Sequence, residues 1–89
     1  MPHIRFTNLF AERIGGVSSV DVPAATVESA LHALTDRHPS LTPLVWAKDG
    51  ALNPVMVVFL NDHQLGAAQI ETPVGPGDEI DIVPALEGG

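Results

Sequence analysis

The sequence predicts an α+β domain, a mixed sheet of four to five strands packed on one main helix, and three observations predict it. Stretches of two-residue hydrophobic alternation flank a single stretch of helical periodicity. A strongly β-prone run, Val55-Met56-Val57-Val58-Phe59-Leu60, stands between two turn signals. No linker is polar enough to divide the 89 residues into two units, so these elements share one small core.

From His3 to Phe10, Ile4 and Phe6 alternate with Arg5 and Thr7, which gives a first strand one apolar face. Gly15-Gly16 breaks the chain, and Ala11 to Gly16 reads as a hairpin loop. Val20 and Val22, alternating with Ser19 and Asp21, then form the returning strand, closed by Pro23. Between Thr26 and His38, Val27, Ala30, Leu31 and Leu34 fall at i, i+3, i+4 and i+7, one face of an amphipathic helix. Thr26 is placed to cap it. Glu28 in the first turn and Arg37 and His38 in the last suit the helix dipole, and Pro39 disfavours helical geometry before it.

Leu41 to Trp46 reads as irregular chain broken by Pro43, and Asp49-Gly50 as a turn. Val55 to Leu60 supplies the third strand, Asn61-Asp62 a turn, and Gln64 to Ile70 a short, poorly patterned strand. Pro73, Gly75, Pro76 and Gly77 form a loop. Asp78 to Val83 alternates again, with Ile80 and Ile82 on one face and Glu79, Asp81 and Val83 on the other, and Pro84 ends this last strand. The order is ββαββ, one strand being short. A helix that crosses the sheet joins parallel strands, so the last strand should lie beside the first, the β-grasp arrangement. The β-grasp domain then spans residues 1–84, and 85–89 form a tail. With Pro84, the tail would extend up to ~20 Å.

Composition narrows the function. The net charge of −7, from 11 acidic residues against four Lys and Arg, argues against a nucleic-acid partner, because phosphates are held by clustered Lys and Arg. There is no cysteine, hence no disulfide, thiolate metal site or side-chain thiol nucleophile. The start of the chain lacks the apolar core of a secretory signal, and the longest apolar run is too short to span a membrane, so a cytoplasmic protein is expected, with no membrane partner. His3, His32, His38 and His63 show no pair with ligand spacing, so no metal site is expected. Gly75-Pro76-Gly77 lacks the Lys and Ser or Thr of a phosphate loop. No elbow motif surrounds Ser18 or Ser19, and Trp46 reads as a core residue.

Gly88 and Gly89 close the sequence. Without a Cβ they suit a tail that threads a narrow channel in a partner, with a working carboxylate on Gly89. The plainer reading is a frayed end. What precedes them decides between the two. Gly77-Asp78-Glu79-Ile80-Asp81-Ile82-Val83-Pro84-Ala85-Leu86-Glu87-Gly88-Gly89 resembles the closing segment of the ubiquitin-like sulfur carriers, the MoaD/ThiS family that includes the molybdopterin-synthase small subunit and the thiamine sulfur carrier. Phe59-Leu60-Asn61-Asp62 is similar to that family's strand-to-turn signature.

The resemblance implies a carrier and not an enzyme. An E1-like ATP-dependent activating enzyme would adenylate the Gly89 carboxylate, which is then converted to a thiocarboxylate that donates sulfur to an acceptor synthase. No cofactor is bound. The intermediates are covalent, the acyl-adenylate and the thiocarboxylate. Length and the long loop before Pro76 resemble the molybdopterin and cysteine-pathway carriers more than the compact thiamine type, and molybdopterin synthesis is the pathway expected, with the molybdopterin-synthase large subunit as acceptor. Carriers for cysteine, thiamine or tRNA thiolation, and a protein modifier joined to lysines, remain alternatives, as does a plain docking module with an inert tail.

Around the tail, Val83 is a candidate partner contact beside its root, with Leu65 as a second and Pro84, Ala85, Leu86 and Glu87 along it. Scattered surface apolar residues are the competing reading for Val83 and Leu65. Glu79, Asp81 and Glu87 would steer basic partners, or else line a solvated strand edge.

Overall fold

The computed structural model describes residues 1–84, other than the side chains of Asn8 and Leu9. Its elements are β1 (His3–Phe6), α1 (Asn8–Arg13), β2 (Ser19–Asp21), α2 (Val27–Arg37), α3 (Thr42–Val45), β3 (Met56–Leu60), β4 (His63–Leu65) and β5 (Glu79–Pro84). Single 3-10 turns sit at Pro39–Leu41 and Ala67–Gln69. The strands form one sheet in the order β2-β1-β5-β3-β4. β5 runs parallel to β1, from His3 opposite Glu79 to Phe6 opposite Ile82, and antiparallel to β3. The last strand therefore lies beside the first, as the sequence predicts.

The core fills the space between α2 and one sheet face. Ile4, Val58, Ile80 and Ile82 from the sheet, and Val27, Ala30, Leu31 and Leu34 from α2, are all completely buried. Burial of each large aliphatic side chain contributes about 1.5–3 kcal/mol, which is why the periodicities of the sequence translate directly into layers. The α2 N-terminus is closed by a reciprocal cap: Ser29 N donates to Thr26 Oγ1 at 3.1 Å, and Thr26 N donates to Ser29 Oγ at 3.0 Å. These bonds satisfy donors that a helix start leaves free. Trp46 is buried, as the sequence suggests. Its indole Nε1 donates to Thr35 Oγ1 at 3.2 Å, and His32 stacks on its ring at 4.2 Å.

Four expectations are corrected. The first strand ends at Phe6, and the residues after it are not a hairpin loop but α1, which buries Phe10 and Ala11. Gly16 N donates to Ala11 O at 2.8 Å with Gly15 at φ +80°, the glycine-closed end of a helix, so Gly15-Gly16 is a helix stop rather than a hairpin turn. Within Leu41 to Trp46, Thr42–Val45 is helical rather than irregular, because Pro43 falls in the first turn of α3, where the missing N–H costs nothing. The short strand is His63–Leu65, and the residues beyond it coil into a 3-10 turn that delivers Ile70 to the core. Pro84 ends β5 as the sequence predicts, in register with Met56.

Candidate functional site

The point from which residues 85–89 depart is fixed by its neighbours. β5 is the central strand, paired with β1 on one side as far as Ile82 and with β3 on the other as far as Pro84. Its start is locked as firmly. Leu60 pairs with His63, so Asn61-Asp62 forms a two-residue hairpin loop, with φ of 49° and 74° at the two residues. Positive φ at both positions is the geometry of a tight β-hairpin, and short Asn and Asp side chains tolerate it. Asn61 Oδ1 then accepts from Glu79 N at 2.9 Å, and its Nδ2 donates to Asp78 Oδ1 at 2.9 Å. Asp78 Oδ2 also accepts from Gly75 N at 2.8 Å. These donors, Asn61 first and Gly75 second, hold the Asp78 carboxyl below its ordinary pKa.

Alternation along β5 turns Ile80 and Ile82 inward and Glu79, Asp81 and Val83 to the face away from α2. Register builds that outer face from three strands. Arg5 lies beside Asp81, Asp81 beside Phe59, and Val83 beside Val57. Val57, Phe59 and Val83 are half-buried, and Val55 just beyond them is 42 % exposed, so an apolar patch adjoins the tail's root. Next to it Arg5 makes a bidentate contact with Asp81, Nε to Oδ1 at 2.7 Å and Nη2 to Oδ2 at 3.1 Å, and its Nη2 lies 3.4 Å from Glu79 Oε1. The Asp81 bond and the two negative charges raise the Arg5 pKa further above its already high value. The acids of β5 therefore stand in the middle of a sheet beside a guanidinium, not on a strand edge.

Of the residues singled out in the sequence, Val83 and Pro84 lie at this root. Leu65 does not join them: it pairs with Val58 and packs, half-buried, on the α2 side of the sheet. Ala85, Leu86, Glu87, Gly88 and Gly89 lie outside the described residues. Sequence reasoning missed Val57, Phe59 and Arg5 as members of the outer face. Inside an unbroken apolar run no alternation betrays which residues face outward, and only the pairing of β3 with β5 tells. Among the described residues no three His, Asp or Glu side chains gather as a metal site, and no helix is long and apolar enough to cross a membrane.

A small β-grasp domain with an apolar sheet face beside the end of its last strand defines a class, the ubiquitin-like proteins. Residues 4–89 match the model of the ThiS family, and the chain belongs to that family of sulfur carriers and ubiquitin-like modifiers. It is 31 % identical over 75 residues to a protein of Archaeoglobus fulgidus assigned as a sulfur carrier, covering 83 % of this chain and 85 % of that one. It is 38 % identical over 71 residues to small archaeal modifier protein 1 of Haloferax volcanii, covering 79 % and 78 %. The crystal structure of that modifier superposes with a TM-score of 0.81 over 99 % of this chain and 98 % of that one, at 31 % identity. A chain of the BexX/CysO complex of Amycolatopsis orientalis superposes with a TM-score of 0.84 over 100 % of both chains, at 26 % identity.

Proposed function

We propose that this protein carries sulfur as a thiocarboxylate on Gly89. The observation that supports the reading is that Pro84 ends the central strand, in register with Met56 of β3, with Gly88 and Gly89 only a few residues further along the sequence. An E1-like enzyme would let a carboxylate oxygen of Gly89 attack the α-phosphorus of ATP, releasing pyrophosphate. Hydrosulfide from the sulfur donor then adds to the acyl-adenylate carbonyl and AMP leaves, because a phosphate ester is a far better leaving group than oxide, and loss of the proton leaves the thiocarboxylate. Glycine at both final positions lets the carbonyl approach the reacting atoms without a colliding side chain. The patch of Val57, Phe59 and Val83 is the surface we assign to docking on the activating enzyme.

Molybdopterin synthesis is the acceptor pathway we place first; the length of the chain and the long loop before Pro76 set it, with the cysteine pathway, ahead of thiamine synthesis. The test is the intact mass of the purified protein after incubation with ATP, a sulfur donor and an activating enzyme. A gain equal to one oxygen replaced by sulfur, localised to Gly89, is the expected result. Gly88→Val should abolish that gain without unfolding the domain, and undiminished thiocarboxylate formation in this variant would refute the role given to the glycines. Transfer to a molybdopterin-synthase large subunit then tests the pathway. The 38 % identity to small archaeal modifier protein 1 favours a second reading, attachment of Gly89 to lysines of other proteins. Isopeptide-linked conjugates in cell extracts would select it.

A further inference from the structure

An open pocket of roughly 420 Å³ is lined by Thr42, Pro43, Trp46, Ala47, Lys48 and Asn53. It lies between α3 and the loop that leads into β3, and Asn53 joins the two: its N donates to Val45 O at 2.9 Å and its Nδ2 to Pro43 O at 3.3 Å. The Asn53 carbonyl in turn accepts from Met56 N at 2.9 Å. Met56 is the residue in register with Pro84, so one wall of the pocket stands a single tight turn from the place where residues 85–89 begin. The walls are chiefly apolar, from Pro43, Trp46 and Ala47, and the charged group among the lining residues is Lys48, the only lysine of the sequence.

We infer that this pocket binds the chain's own segment after Pro84, with Leu86 seated against Trp46 and Glu87 paired with Lys48. Reach allows it. Three residues span up to ~10 Å, and paired strands stand only about 5 Å apart. The segment offers apolar Ala85 and Leu86 and then acidic Glu87, and the pocket offers apolar walls and an ammonium. Charge favours this occupant in particular. Lys48 is one of only four Lys and Arg against 11 acids, and Arg5 is engaged with Asp81 and Glu79. The neighbouring Asp49 turns its carboxylate to Ala51 N at 3.0 Å, within its own turn. An open pocket with a solvated ion pair releases its occupant readily, so docking is a resting state that any partner taking the tail must displace. The inference rests on the pocket and the segment, and stands or falls apart from the sulfur chemistry.

The test uses the full chain labelled with nitrogen-15 and needs no enzyme. Leu86→Asp removes the apolar anchor from a residue far from the pocket in sequence. The expected result is a shift of the Trp46 indole N–H and of the Lys48 and Asn53 amides, while the Ile4 and Ile82 amides stay in place. Lys48→Glu should move the indole signal too, and the exchange Lys48→Glu with Glu87→Lys should return it towards its original position. Unmoved pocket signals in Leu86→Asp would overturn the inference, and failure of the charge exchange would overturn the pairing. Pocket signals that shift when the unaltered protein is diluted would mark a second copy as the occupant and overturn it equally.

Discussion

The two faces of the sheet are made from the same strands, residue by alternate residue, yet they obey different rules. On the α2 side Ile4, Val58, Ile80 and Ile82 are sealed from water, and any change of volume there is felt throughout a small core. On the outer side Val57, Phe59 and Val83 are only half-buried, beside the Arg5–Asp81 pair. One strand, β5, thus holds the fold with its even-numbered residues and offers a surface with its odd-numbered ones. The lesson is that neighbours in sequence here differ more in role than residues eighty positions apart.

That contrast breaks or holds under substitution. Ile82→Ala should cost about 2–5 kcal/mol in a denaturant titration, through lost burial and a cavity, whereas Val83→Ala should cost about 0.5 kcal/mol or less, as surface changes do. Equal losses at 82 and 83 would erase the distinction between the faces. Thr35→Val extends the inner-face argument to a polar bond, since it leaves the buried Trp46 N–H without its acceptor and should cost about 1–3 kcal/mol by the same titration.

Val83→Asp sharpens the outer-face argument. It should raise the KM for activation by an E1-like enzyme about tenfold, the equivalent of about 1.4 kcal/mol, with the midpoint of unfolding little changed. An unaltered KM would remove Val83 from the docking surface. The smallest effect concerns Asp78. Its folded pKa is depressed by Asn61 and Gly75, so its contribution to stability is present above the unfolded pKa and fades as pH falls through the folded one. Asp78→Asn should flatten that acidic part of the stability curve while leaving stability at neutral pH lower than in the unaltered protein.

Legibility followed the type of signal. α2 was readable to within a residue at each end, because Val27, Ala30, Leu31 and Leu34 mark its buried face and Thr26 its cap. β5 was readable with its faces, because polar and apolar residues alternate. α1 was misread, although Gly15-Gly16 after a basic turn is also a helix-stop pattern, because six residues hold too few turns for periodicity to emerge. α3 was hidden by Pro43, whose effect depends on its position within a helix. Val83 and Pro84, singled out from the sequence, lie at the end of β5 beside the apolar outer face, whose members Val57, Phe59 and Arg5 the sequence did not single out.

The sequence by itself determined the order of the main strands, the helix that covers them, the glycine-rich end and the membership in a carrier family, because each is written in local spacing or in a contiguous motif. Only the tertiary structure decided which half of an all-apolar strand faces water, that Leu65 and Val83 lie on opposite sides, and that Arg5 meets Asp81 across 76 positions of chain. Those outcomes depend on strand register, and register is settled by the simultaneous burial of many side chains from distant segments, a quantity no single stretch of sequence contains.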